Sequence, residues 1–431
     1  MTGAFLIGSM LVFLVIGMPI AIALGLAGSL TIILFMPDSL ASAAARVFNT
    51  MEHYTLLAMP FFILSSVFLT TGGVARRLID FAVAGVGHIP GGLAVASVFA
   101  CVLFAAISGS SPATVVAVGS IVIAGMIRTG YSPMFAAGCV CTAGTLGILL
   151  PPSIPMIAYS ATTETSVGRL FLAGVMPGLL LGLVLAFVIY VYARITGLPR
   201  MERATWGEMA AAGARAGWGL LLIVIIMGGI YGGIFTPTEA AAVAAVYSFV
   251  VAVWIHKDCS YADVPKVLLD AAKLSVMLLF IVGNAFLFAH VLTAEQLPSM
   301  LAQKIIAANL EPWMLLIFIN ILLLFAGQFM EPVAVITILA PVIFPAAMAM
   351  GVDPIHLGVI FVVNMEIGMV SPPVGLNLFV TSGITGLPIL KVVKAVVPYV
   401  LVLLIFLVLI TYVPGISMML PNSLMGPERP M

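Results

Sequence analysis

The sequence predicts an all-α polytopic membrane protein built as an inverted repeat, each half holding five spans and one re-entrant hairpin. Three observations lead there. The 431 residues are 63% hydrophobic and 7% charged, with a mean hydropathy of +1.28, far outside the range of water-soluble globular domains. An apolar run from Gly91 to Ile127 is interrupted at its middle by Ser108-Gly-Ser-Ser-Pro-Ala-Thr114. Prolines also recur at a nearly fixed offset. Pro133, Pro151, Pro152 and Pro177 return 221 positions later as Pro354, Pro372, Pro373 and Pro398, and Pro112 returns 220 later as Pro332.

Apolar runs separated by Gly, Pro and sparse charges place the elements in order. The first half, residues 1–195, offers spans at about 3–17, 20–36, 54–71, 132–165 (broken) and 170–193, with a hairpin at 91–127. As one straight helix that run would measure about 55 Å, against about 30 Å for the hydrocarbon core. Its Gly, Ser and Pro residues weaken helical bonding at the tip. Residues 196–216, with Arg200, Glu202, Arg203, Glu208 and Arg215, read as an amphipathic linker. The second half, 217–415, offers spans at about 217–235, 238–255, 274–292, 355–386 (broken) and 395–413, a hairpin at 312–349, and then a tail, 416–431. Thr236-Pro-Thr-Glu239 is a capping box with proline at the first helical position, which starts a helix. The mixed stretches 72–90 and 293–311 suit helical arms lying at the interface.

Five spans per half is an odd number, so the two repeats must run in opposite directions. Charge placement agrees. With the N-terminus outside, twelve Lys and Arg fall on inner loops and four, Arg46, Arg169, Lys304 and Arg429, on the outer side, as the positive-inside rule requires. The first hairpin then enters from the cytoplasm and the second, flanked by Glu311 and Asp353, from outside. The first span starts at Ala4 with no basic segment before it and reads as a retained span rather than a signal peptide. Sixteen basic and sixteen acidic residues cancel, and the expected surroundings are the lipid bilayer, with no nucleic acid. Four cysteines lack zinc-site spacing and read as packing residues.

Two polar constellations fall at membrane depth. One joins the tip Ser108-Gly-Ser-Ser111 to the broken span Thr142-Ala-Gly-Thr-Leu-Gly-Ile-Leu-Leu-Pro-Pro-Ser153. The other joins Gly327-Gln-Phe-Met-Glu331 to Asn364-Met-Glu-Ile-Gly-Met-Val-Ser-Pro-Pro-Val-Gly-Leu-Asn377. Hard cations such as sodium need several oxygen ligands, which unwound carbonyls and Ser, Thr or Asn side chains supply. Helix N-termini facing the same space would suit a carboxylate. Any single Gly or Ser here also suits close helix packing. Glu331 and Glu366 are functional candidates because carboxylates are rare in apolar spans, and Glu366 equally suits a structural hydrogen bond. No P-loop, paired-His metal motif or nucleophile elbow is present. An intramembrane enzyme using Glu331 or Glu366 would lack a second catalytic partner, so no enzymatic activity and no cofactor are expected.

Ser108-Gly-Ser-Ser-Pro-Ala-Thr114, Gly147-Ile-Leu-Leu-Pro-Pro-Ser153 and Val363-Asn-Met-Glu-Ile-Gly-Met-Val-Ser-Pro-Pro-Val-Gly-Leu-Asn377 resemble signatures of the large membrane subunit of tripartite ATP-independent periplasmic (TRAP) transporters. The resemblance spans essentially the whole chain, and the Asn-Met-Glu form is similar to the branch handling C4-dicarboxylates. It implies a sodium-driven elevator-type carrier of the bacterial inner membrane, of the ion transporter superfamily kind, importing an organic acid. It also implies two partners, a small four-helix membrane subunit on a separate chain and a periplasmic substrate-binding protein. On this reading, Ser108, Ser110, Gly144 and Thr145 coordinate a first sodium ion. Gly327, Met330, Gly368 and Val370 coordinate a second, largely through carbonyl oxygens, and no other metal is expected. Ser111, Thr114, Glu331, Asn364, Ser371 and Asn377 are the substrate-contact candidates. The alternative of the same architecture is a stand-alone sodium/dicarboxylate symporter that needs no binding protein.

Overall fold

The computed structural model describes residues 2–300, 303 and 311–427. The outer charges Lys304 and Arg429, and residues 301, 302 and 304–310 of the 293–311 arm, lie outside the described residues. Among the described residues every regular element is helical, and eight helices are long and apolar enough to cross a membrane. The chain is a multi-pass membrane protein.

Helices Thr2–Val15, Ile20–Phe35 and Leu40–Met51 lead into Tyr54–Thr71, which opens with a 3-10 turn, and then into Val74–Val86. The first hairpin follows as Gly92–Ser108 and Ser111–Arg128. The first broken span is Pro133–Ala143, a 3-10 turn Gly144–Ile148, and Ile154–Thr163, and Val167–Thr196 closes the half. The second half runs Trp206–Tyr231, Pro237–Val250 with a π-helical turn Val251–Ile255, and Val264–Ala294. Its hairpin is Pro312–Gly327 and Pro332–Ala349, its broken span Pro354–Met369 and Leu376–Thr385, and Ile389–Tyr412 and Pro414–Met425 complete it.

The recurring prolines have physical jobs. Pro133, Pro332 and Pro354 are the first residues of their helices and Pro112 the second residue of its helix, where the missing N–H has no helical acceptor anyway. Pro151-Pro152 and Pro372-Pro373 sit in the two breaks, and the bond between the prolines is cis in both. Pro177 and Pro398 lie inside the long helices that close each half.

Helix starts follow capping chemistry. Thr236 and Glu239 form the expected reciprocal box, Glu239 N to Thr236 Oγ1 at 3.3 Å and Thr236 N to Glu239 Oε2 at 2.8 Å. Thr205 and Glu208 form another, so the helix containing residues 217–231 already begins at Trp206, within the 196–216 stretch. The Val264–Ala294 helix likewise outruns the apolar run 274–292, because Lys266, Asp270 and Lys273 interrupt hydropathy and not helical bonding. Two helices carry no span signal in the sequence. Leu40–Met51 is short and amphipathic and starts on the Ser39 hydroxyl, which accepts from Ser42 N at 3.1 Å. Pro414–Met425 packs on Val167–Thr196 and Pro354–Met369.

The two halves interlock. Tyr54–Thr71 packs along Pro237–Val250, where the buried Ser65 and Ser248 hydroxyls meet at 2.7 Å, and Ile20–Phe35 packs along Val264–Ala294. Large apolar side chains such as Phe187 and Ile405 remain exposed, as lipid-facing surfaces require.

Candidate functional site

At the first hairpin tip the helix stops on Gly109, whose φ of +63° is a left-handed conformation that only glycine adopts readily. A Cβ there would stand 2.6 Å from the Pro152 carbonyl oxygen. The tip is thus held directly against the first break, and Ile154 N donates to Gly109 O at 3.3 Å. Ser108 and Thr114 hydroxyls pair at 2.9 Å, and Thr114 Oγ1 also donates to Ser110 O at 2.9 Å. Ser111 Oγ reaches across to the break and donates to Gly144 O at 3.0 Å. Thr145 Oγ1 donates to Thr142 O at 2.8 Å. Hydroxyl protons satisfy the unwound carbonyls while oxygen lone pairs stay available.

The second tip meets the second break in the same way. Val374 N donates to Gln328 O at 3.2 Å, and Gly327 lies against Gly368 so closely that a Cβ on Gly368 would be 2.5 Å from Gly327 O. Val370 N and Ser371 N end the helix on Ile367 O and Gly368 O at 3.2 and 3.1 Å. Glu331 is the N-cap of the returning arm, its Oε2 accepting from Ala334 N at 3.2 Å.

Both tips open on one cavity of about 450 Å³, within the range of small-molecule sites. Residues 108–113 and 331–333 form its inner wall, with Ile148, Ile154, Met369 and Leu376 from the breaks. Ser66, Thr70 and Thr71 of one long helix and Asp270, Leu274 and Met277 of another face them. Its two charged lining residues, Asp270 and Glu331, are both acidic.

Of the expected cation residues, Ser108 and Ser110 line the cavity, whereas Gly144 and Thr145 lie behind the tip, bridged to it by Ser111. Gly327 and Gly368 are in backbone contact, with Met330 and Val370 in the adjoining turns. Of the substrate-contact candidates, Ser111 and Glu331 reach the cavity wall. Thr114 is turned onto Ser108, and Ser371 Oγ onto Ile367 O at 2.7 Å. Asn364 is buried in an amide chain, donating to Asn320 Oδ1 at 2.7 Å, while Asn320 donates to Thr411 Oγ1 at 3.0 Å. Asn377 crosses to the first half, where Nδ2 donates to Ser111 Oγ at 2.7 Å and approaches Cys141 O at 3.4 Å. Glu366 is fully buried, with neither carboxyl oxygen partnered. Thr70, Asp270 and Asn320 escape sequence reasoning. Asp270 alone carried a signal, a carboxylate one turn before the apolar run of its helix.

Helices unwound in two places beside one shared cavity, in a multi-pass bundle, define a membrane permease. The chain belongs to the family described as the DctM component of tripartite ATP-independent periplasmic transporters, whose model matches residues 7–416. It is 62% identical over 402 residues to the C4-dicarboxylate TRAP transporter large permease protein DctM of Pseudomonas aeruginosa, covering 93% of this chain and 94% of that one. The protein of the same name from Vibrio cholerae is 56% identical over 436 residues, covering 96% of each. These are permease subunits and not enzymes, and so is this chain. Among solved structures, the YdaH transporter of Alcanivorax borkumensis superposes with a TM-score of 0.59 at 15% identity, over 94% of this chain and 97% of that one, a likeness of fold alone.

Proposed function

We propose that this chain is the large permease subunit of a TRAP transporter that imports a C4-dicarboxylate by sodium symport across the bacterial inner membrane. Its N-terminus is periplasmic, a periplasmic binding protein delivers the substrate, and a small four-helix subunit completes the membrane part. The observation that carries the reading is the single cavity onto which both hairpin tips open, together with the 62% identity to a C4-dicarboxylate permease. The matched prolines and the odd span count support two inverted repeats, with the hairpins and broken spans moving as one elevator domain.

The charge of the cavity supports cation coupling. A dianion entering a space whose own charged side chains are both acidic must bring positive charge with it, since among the described residues no Lys or Arg lines the wall to supply it. Sodium ions held by the two tip-and-break pairs provide that charge. The substrate carboxylates are then met by hydroxyls of the first tip and by the amides opening its returning helix.

The test is uptake into proteoliposomes containing both membrane subunits, with the binding protein, sodium and dicarboxylate each varied separately. Accumulation that requires a sodium gradient and the binding protein is expected. Uptake from free substrate without the binding protein would instead select the stand-alone symporter.

A further inference from the structure

The linker that leaves the first half builds a further cavity of about 350 Å³, which shares no lining residue with the one between the tips. Its walls are Pro90, the Ala193–Arg194 end of the Val167–Thr196 helix, and linker residues 197–200. Backbone contacts hold it in shape. Gly197 ends the helix in a left-handed conformation, φ +70°, and Leu198 N donates back to Ala193 O at 2.9 Å. Pro199 O accepts from Gly91 N at 3.3 Å and from the Tyr131 hydroxyl at 2.9 Å. Met201 N donates to Gly87 O at 3.0 Å. The strap 197–201 is thereby stitched to both ends of the first hairpin.

Among the described residues, Arg194 and Arg200 are the charged residues of this wall, and no acidic residue lines it. Both arginines are exposed, and neither guanidinium has a hydrogen-bond or ion-pair partner among the described residues. The helix C-terminus contributes about half a negative charge, against two full positive ones, so the niche favours an anion. A lipid-facing surface leads to it. Leu183, Phe187, Val191 and Ile195 are exposed, one every four residues along the same helix. Arg194 lies seven residues beyond Phe187, on the same face. An apolar stripe ending at unpaired arginines matches an acyl chain beneath a phosphate, a pairing that a small soluble anion does not need.

The geometry points to a binding site for the phosphate headgroup of an anionic phospholipid, formed by Arg194 and Arg200 and closed by the 197–201 strap. Guanidinium groups take phosphate oxygens in pairs, and basic pockets between spans at the cytoplasmic face suit acidic headgroups. The acyl chains run along the stripe that holds Phe187. The site uses no residue of the transport cavity, so it does not depend on which ion drives transport. It rests only on the proposed orientation, which sets this end of the helix at the inner leaflet. A bound headgroup pins the strap there, and with it both ends of the first hairpin.

Thermal unfolding of the full chain in nanodiscs tests it, with phosphatidylglycerol replacing phosphatidylcholine stepwise at constant ionic strength. Wild type gains stability as phosphatidylglycerol rises. Arg194→Gln and Arg200→Gln each raise the half-saturating phosphatidylglycerol fraction about fivefold, as loss of one cation beside an anionic headgroup should. Arg200→Lys keeps the charge and stays within about twofold of wild type. Arg203→Gln removes a charge three residues farther along the linker, outside the niche, and leaves the titration unchanged. In phosphatidylcholine alone both pocket variants unfold with wild type, because neither guanidinium holds a protein partner. Pocket variants that titrate like wild type, or an equal effect of Arg203→Gln, would overturn the site and leave only diffuse surface attraction. Equal stabilisation by inorganic phosphate in phosphatidylcholine discs would overturn the lipid assignment and make the occupant a free anion.

Discussion

Gly368→Ala places one methyl group where the second tip meets its break. Its Cβ would lie 2.5 Å from Gly327 O, 2.6 Å from Gly327 C and 2.8 Å from Gly327 Cα. All three neighbours are backbone, so no side chain can rotate away. Ordinary contact begins at 3.4 Å, and restoring it moves the Gly327 carbonyl back by about 0.9 Å. Overpacking of this kind destabilises by about 1–3 kcal/mol, which a large bundle survives. Ion coordination does not survive it, because ligand distances hold to within about 0.2 Å. The variant should insert and fold but lose sodium-dependent uptake in proteoliposomes supplied with both partners. Gly383→Ala is the control: it lies in the same broken span, and a Cβ there meets nothing within 4 Å, so transport should be unchanged. Full sodium-dependent uptake by Gly368→Ala would refute the argument and make the Gly327–Gly368 contact a packing device only.

Further outcomes follow from other positions. Ser110→Ala removes an oxygen from the cavity-lining tip; on the proposed coupling, in which each ion orders one tip, transport should be abolished rather than halved, and a rate above half of wild type would contradict this. Thr236→Ala breaks a capping box whose two bonds are in place and should cost about 1 kcal/mol of stability, read as a lower unfolding temperature with uptake per folded molecule unchanged. Burial, and then the neighbouring Arg77 guanidinium, hold the His256 imidazole below its ordinary range. Because the folded value is lowered, the unfolded chain binds the extra proton first. Stability is therefore full above about pH 6.5 and falls as the pH drops below it. His256→Gln should flatten that acid limb in unfolding scans, and an unchanged limb would show that other groups set it.

The hairpins, the breaks and their pairing were legible because each depends on residues that act alone. Proline at a helix start, glycine at a left-handed position and a gap in an apolar run leave marks independent of any distant partner. Pro112 and Pro332 open the two returning arms where the matched offsets put them. The Thr236 capping box is likewise a contact between residues three positions apart, written in the local sequence. Leu40–Met51 left no such mark, because a 12-residue helix with polar positions falls below the length and apolarity that signal a span.

The site residues divide by the same logic. Ser108, Ser110, Ser111 and Glu331 reach the cavity because their backbone is the tip, and the tip was readable. Asn364 and Asn377 belong to one motif and look equivalent in the sequence, yet they face opposite ways. Thirteen positions and an unwound break separate them, and across a break helical periodicity no longer relates two directions. Asn364 turns to Asn320 within its own half, while Asn377 turns to Ser111 in the other. The difference lies in which helix packs against each, a long-range property that apolar spans encode only through the fit of their surfaces. Replacing either amide therefore probes a different joint of the protein. Asn364→Ala should loosen the bond between the second hairpin's entering arm and its break, whereas Asn377→Ala should loosen the one between the two halves. A sodium response altered by the second change and untouched by the first is the result this geometry demands.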